Sequence, residues 1–306
     1  MTMVVVGPTA AGKSGFAVAL AKLLAIRGQP CEIINTDSML VYRGMDIGTA
    51  KPTLAERGGV PHHLIDIADI TRTATVADFQ RLARAAVADC RSRGVLPILV
   101  GGSALYTRAI VDKFTFPGTD PAVRRRWEAV LAERGVAALH AELAVRDPIA
   151  AATIESANAR RIVRALEVVE LTGEPYVASL PAPVYELPDV VQLGLDAPRE
   201  WVDSRIEERV DAMWAAGFID EVRALEQRGL RSGQTASRAL GYRQVLAFLD
   251  GSISEQQARA ETVIGTRKFS RRQLSWFRRD PRIRWLDATA PLDERLAVAG
   301  ALLVGP

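Results

Sequence analysis

With 306 residues, 48% of them hydrophobic and 25% charged, the chain has the balance of a folded globular protein rather than a disordered one, and room for a large α/β domain plus a smaller module. No apolar stretch approaches the roughly 18 residues of a membrane span, and the opening residues run into a strand without a signal peptide's charged start, so a cytoplasmic protein is expected. The net charge of +3 is uneven: between Gly265 and Trp285 eight Lys or Arg stand against Asp280 alone, a local +7 that leaves −4 for everything else.

Residues 2–6 form an apolar strand, and "GPTAAGKS", Gly7 to Ser14, follows it with the pattern G-x-x-x-x-G-K-[ST]. In such a loop the backbone amides of Gly7, Pro8 (which lacks the N–H), Thr9, Ala10, Ala11 and Gly12 and the start of the next helix cradle an anion. Lys13 adds charge and Ser14 a ligand for Mg²⁺. The pattern specifies a polyphosphate, not a nucleoside. A helix is expected over 13–27 and a second strand over 31–36, with Asp37 just past its end. A short strand is expected over 63–67, a helix over 76–93, and a strand from Leu96 that ends in Gly101, Gly102 and Ser103. Alternating strands and helices with continuously apolar strands predict a parallel sheet covered on both faces, with ligands at the carboxyl ends of the strands.

From residue 112 to about 173 the pattern is helical only, and the proline-rich stretch after it reads as an extended return passage. "VVQLGL", residues 190–195, rejoins the sheet, and the remainder is helical almost to the end. The expected architecture is α/β: a P-loop NTPase-like parallel sheet flanked by helices, with an inserted all-helical domain and a helical C-terminal region. The domains are 1–111, 112–188 and 189–306.

Asp37 admits two readings, an N-cap or turn residue, or a carboxylate that faces the P-loop and holds or deprotonates an acceptor. Phe269, Trp276, Phe277 and Trp285 lie within the basic run, a composition that suits either a nucleic acid or a solvated helix face. Cys31 and Cys90 are expected to be buried reduced thiols and His62 and His63 structural. Together with His140 these residues have no metal-site spacing, so no structural metal is expected.

"NTDSMLVYRGMDIGTAKP", "VPHHLIDI", "PILVGGSALY", "NARRIVRALEV", "RIEERVDAMWAAGFIDEV", "SRALGYRQ" and "TRKFSRRQLSWFRRD", in order after the P-loop, resemble the tRNA dimethylallyltransferase family over nearly the whole chain. Two departures are Ser103, where the family often has Thr, and the missing proline before Asn158. The resemblance implies transfer of a dimethylallyl group from dimethylallyl diphosphate to N6 of adenosine 37 in tRNAs that read codons beginning with U, with Mg²⁺ and no membrane or obligate protein partner.

It further implies Asp37 as the base, Ser103 at the leaving oxygen and Arg209 over the diphosphate, although Arg209 on its own reads as a surface ion pair with Glu207 or Glu208. RNA contacts at the anticodon stem-loop are implied for Asp37, Ser38, Met39, Leu40 and Ser103. The same holds for Arg124, for Arg160, Arg161, Ile162, Val163 and Arg164 in the helical insertion, for Arg238, Gly241, Tyr242 and Arg243, and for the basic Arg271 and Arg272. Rival readings are a P-loop small-molecule kinase, an isopentenyltransferase for free adenine nucleotides, and a nucleotide-gated RNA-binding protein.

Overall fold

The computed structural model describes residues 1–176 and 181–302; residues 177–180 of the expected return passage and 303–306 lie outside the described residues. β1 (Thr2–Val6), β2 (Cys31–Asn35), β3 (His62–His63), β4 (Leu96–Val100), β5 (Val190–Asp196) and β6 (Ile283–Asp287) make a six-stranded sheet in the order β3-β2-β4-β1-β5-β6. Every pairing is parallel. Each β1 residue is buried because both faces are covered. Val4 and Val6 face the side that holds Phe79 and Val87 of α3 (Val76–Ser92), while Met3 and Val5 face Phe16, Leu20 and Leu24 of α1 (Lys13–Ile26). Full burial of a side chain of this kind is worth about 1.5–3 kcal/mol.

α2 (Leu54–Arg57) is a single capped turn, and α4 (Ala104–Val111) follows β4. The strand expected over 63–67 stops after two residues, because Leu64 and Asp66 take positive φ values of 62° and 58° and turn the chain. β6, in turn, lies where only helix was expected. Gly194 leaves space for the Trp285 ring against the neighbouring strand, so Trp285 packs on the sheet and is not part of a basic-aromatic surface.

The chain divides into a core of residues 1–112 and 185–306 and a helical unit, Lys113–Val184. The boundaries differ by a few residues from the expected 112–188. Asp112, fully buried, accepts from Arg108 at 2.8 Å and Arg282 at 2.7 Å, and it bridges to Tyr185, so both crossing points belong to the core. Within the helical unit α5 (Pro121–Arg146) is broken at Gly135, whose φ is 76°. α6 (Pro148–Thr153) and α7 (Ala159–Thr172) complete a separate core around Trp127, Leu139, Leu143, Ile162 and Leu166.

The remaining core helices are α8 (Arg199–Ala215), α9 (Phe218–Gln227), α10 (Tyr242–Leu249), α11 (Glu255–Phe277) and α12 (Leu292–Ala301). Among the described residues no helix is long and apolar enough to cross a membrane.

Candidate active site

The sheet order sets the site. β2, β4 and β1 are neighbours, so the segments that leave their carboxyl ends converge: Asp37 after β2, Gly101-Gly102-Ser103 after β4, and the P-loop after β1. Gly7 begins the loop with φ 143°, and a Cβ there would lie 2.5 Å from the Leu195 carbonyl oxygen, so only glycine fits. Ala10 and Gly12 also take positive φ, the kind of backbone from which anion nests are built, although the Thr9 N–H is taken by Gln273 Oε1 at 2.8 Å and the Ala11 N–H by the Pro8 carbonyl oxygen at 3.4 Å. Gly12 caps α1 without a side-chain bond, and no acid occupies the first turn, so the helix's first amides and its positive end are left for an anion.

Lys13 reaches back to the Pro8 carbonyl oxygen at 2.6 Å. Burial pulls its pKa down to about 8, with the Asp37 carboxylate acting in the opposite direction and Arg209 reinforcing the fall. The Ser14 hydroxyl is exposed. One exposed hydroxyl beside the start of α1 is the kind of oxygen ligand that Mg²⁺ accepts.

Asp37 is held by its own turn. Its N–H donates to Asn35 Oδ1 at 2.8 Å, its carbonyl oxygen accepts from Asn35 Nδ2 at 2.9 Å, and its Oδ1 accepts from the Met39 N–H at 2.8 Å. The turn reading of Asp37 is therefore correct as far as one oxygen goes, and the side chain still lines a cavity of about 500 Å³ in the core. Thr9, Ser38, Met39, Thr49 and Arg209 share that cavity, Val210, Met213 and Leu240 supply apolar wall, and the exposed Arg238, Arg243, Lys268 and Arg272 stand at its open side. Ser103 caps α4 without using its hydroxyl for the cap.

Arg209 does not pair with its flanking glutamates: Glu207 binds Arg267, Glu208 accepts from Ser204, and Arg209 donates to the Thr49 carbonyl oxygen at 3.1 Å. Burial works against its charge, and the Asp37 carboxylate favours it.

The chain belongs to the IPP transferase family.

The family model matches residues 40–280, a span that excludes the P-loop, so membership does not rest on that widespread motif. The chain is 61% identical to a tRNA dimethylallyltransferase of Kineococcus radiotolerans, over 97% of this chain and 96% of that protein. It resembles the crystal structure of a tRNA isopentenylpyrophosphate transferase from Bacillus halodurans with 40% identity and a TM-score of 0.73, covering 99% of this chain and 95% of the other. A eukaryotic dimethylallyltransferase acting on tRNA aligns at 25% identity with a TM-score of 0.84, covering 99% of this chain and 79% of that one.

As an IPP transferase, the chain departs from several of the RNA-contact expectations. Tyr242, Ile162 and Val163 are buried, Tyr242 in the main core and the other two in that of the helical unit, so their side chains pack inward rather than onto the surface. The Gly241 N–H is taken by Gln244. Arg124 and Arg164 both bind the fully buried Glu167, and Arg164 also donates to the carbonyls of Pro117 and Gly118, whereas Arg160 and Arg161 are exposed. Leu40 is partly buried beside the Asp37 turn and does not line the cavity. In the basic run Arg271 is tied to Asp203 at 2.9 Å and Arg278 to Asp196 at 2.6 Å; Lys268 and Arg272 make no ion pair among the described residues.

Three residues that sequence reasoning did not single out hold the site together. Glu221 accepts from the backbone amides of Asp46, Ile47 and Gly48 and from the Tyr242 hydroxyl, which fixes the "MDIGTA" loop that carries Thr49. Arg205 donates to the Ala10 carbonyl oxygen at 3.0 Å. Gln273 spans two loops. Its signal was a stripe of small or uncharged residues, Thr262, Ser270, Gln273 and Phe277, on one face of an otherwise charged helix.

Away from the site, His63 and Cys90 converge on Glu32, but Arg93 also grips both oxygens of that carboxylate, holding it near 2, which makes the group an ion-paired brace rather than a vacant ligand set. Burial lifts the thiols of Cys31 and Cys90 to about 11 and 12, which keeps both protonated near neutral pH.

Proposed function

We propose that the chain transfers a dimethylallyl group from dimethylallyl diphosphate to N6 of adenosine 37 in tRNA. The observation that carries the reading is the strand order, which puts an acid on β2's exit, a hydroxyl on β4's exit and an anion cradle on β1's exit at three adjacent strand ends; of these, Asp37 and Thr9 of the cradle line the cavity and Ser103 does not. An adenine amino group is a weak nucleophile because its lone pair is delocalised into the ring. Asp37 takes the N6 proton as N6 bonds to C1 of the allyl group; the C1–O bond breaks and its electron pair leaves on the diphosphate. The P-loop amides other than that of Thr9, which Gln273 takes, together with Lys13, Ser103 and Arg209, meet that growing negative charge. Mg²⁺, held by Ser14 and phosphate oxygens, supplies further charge neutralisation when bound.

A partly apolar cavity suits an allylic group that water would otherwise destroy, and an adenine flipped out of its loop would close it. The exposed Arg238, Arg243, Lys268 and Arg272 at the open side, and Arg160 and Arg161 on the helical unit, suit RNA phosphates.

The test incubates the protein with labelled dimethylallyl diphosphate, Mg²⁺ and unmodified tRNA carrying A37. Label is expected in tRNA and not in AMP. Asp37→Asn, which keeps the turn bond to Met39, is expected to slow transfer by about 10²–10⁴-fold with RNA affinity retained. Normal turnover in that variant would remove Asp37 as the base.

A further inference from the structure

Gln273 lies on α11 and is 6% exposed, although its neighbours Arg271 and Arg272 face solvent. Its Oε1 accepts from the Thr9 N–H of the P-loop at 2.8 Å, and its Nε2 donates to the Gly102 carbonyl oxygen, also at 2.8 Å. The partners dictate the orientation of the amide, since one is a donor and the other an acceptor. A Cβ on Gly102 would lie 2.3 Å from Nε2, so a larger residue there would displace the Gln273 amide from its present position. The residue after Gly102 is Ser103, and the stretch around Thr9 is the diphosphate cradle.

We propose that Gln273 is a positioning residue for transfer: by joining the P-loop to the Gly101-Gly102-Ser103 turn, it sets the separation between the diphosphate cradle and the Ser103 hydroxyl. The inference rests on the function proposed above. It assigns a role to a side chain outside the P-loop, the Asp37 turn and the basic surface. The cradle and the serine follow separate strands, β1 and β4, that lie side by side; the ladder between them ends with the Gly101 N–H donating to the Val5 carbonyl oxygen at 3.2 Å, and Gln273 makes the next link, from Gly102 to Thr9. A neutral side chain is suited to this span, because it supplies a donor and an acceptor without adding a charge beside Lys13 and the diphosphate. Displacement of a catalytic group by about 1 Å is enough to cost on the order of 10²-fold in rate.

The test is a double-mutant cycle of Gln273→Met, which keeps the shape and loses both hydrogen bonds, with Ser103→Ala. Gln273→Met is expected to lower kcat about 10–100-fold while the Kd for an anticodon stem-loop RNA stays within about twofold. In the Ser103→Ala background the same change is expected to cost under about threefold, because the hydroxyl it positions is gone. Gln273→Glu, which keeps only the acceptor toward Thr9, should fall on the same side as Gln273→Met. Unaltered kcat, or effects of Gln273→Met and Ser103→Ala that multiply fully, would overturn the proposal.

Binding of inorganic diphosphate separates the two ideas. Absence of transfer by the unmodified protein sinks the proposed function alone, and positioning is then read from diphosphate Kd: a rise in Gln273→Met supports it, and no change refutes it. RNA binding and the thermal midpoint are measured on every variant; if Gln273→Met fails to fold, Gln273→Glu takes its place in the cycle.

Discussion

Arg209 donates to the Thr49 carbonyl oxygen at 3.1 Å, and Thr49 follows the three amides, Asp46 to Gly48, that Glu221 holds. A half-buried carboxylate thus fixes a loop, the loop carbonyl fixes a guanidinium, and the guanidinium lines the cavity that holds Asp37. Arg209→Gln is expected to lower kcat/KM for the diphosphate substrate about 10²–10³-fold, as loss of a fixed charge donor does, with RNA affinity unchanged. Steady-state kinetics with RNA saturating checks this; wild-type kinetics would place Arg209 outside the reaction.

Glu221 should matter to stability as much as to rate. Glu221→Ala strips three backbone amides and the buried Tyr242 hydroxyl of their acceptor. The cost is expected to be about 2–4 kcal/mol in urea unfolding, since leaving buried polar groups unpaired costs more than the bond itself is worth. A loss below about 0.5 kcal/mol would mean that water replaces the carboxylate without penalty.

Under the proposed function, Lys13 is expected to make diphosphate binding pH-dependent. Its pKa of about 8 means that the ammonium is mostly charged at pH 7 and neutral at pH 9, so affinity for inorganic diphosphate should fall above pH 8, by up to about tenfold per unit. The ligand titrates too, and its contribution cancels in the ratio to Lys13→Arg, which stays charged throughout. A flat ratio from pH 7 to 9.5 would refute the depressed value. The folding consequence has the opposite sense to a stabilising ion pair. The folded pKa lies below the unfolded value of about 10.4, so the native state binds fewer protons between the two. Stability from this group therefore rises with pH over that window, and its cost is greatest below pH 8. Lys13→Met should raise the thermal midpoint at pH 7 and have less effect near pH 10.5.

The two adjacent arginines of α11 should behave differently toward RNA. Arg272 is exposed with no ion pair among the described residues, while Arg271 is bound to Asp203. Arg272→Ala is expected to reduce the slope of log affinity against log salt by about 1, and Arg271→Ala by clearly less. Filter binding over a salt series measures both. Equal slopes for the two variants would show that the Asp203 pair dissolves when RNA arrives.

Local pattern was enough for much of this. β1, the P-loop, α1 and β4 follow from apolar runs and glycines within about a dozen residues, since their hydrogen bonds and backbone angles are local. The same locality made β3 and β6 hard to read: positive φ at Leu64 and Asp66 has no glycine to announce it, and β6 exists only because an edge of the sheet is there to accept it.

By itself, then, the amino-acid order determined an α/β protein with a polyphosphate loop, an acid after the second strand and a concentrated basic run. Tertiary structure decided which of those groups lie near one another. The strand order brings Asp37 and Ser103 to the P-loop, and helix phase removes Tyr242, Ile162 and Val163 into cores. Gln273 meets Thr9 across 264 positions of chain. No short-range pattern encodes such a contact, because its energy exists only once the sheet has set the distance between the two backbones.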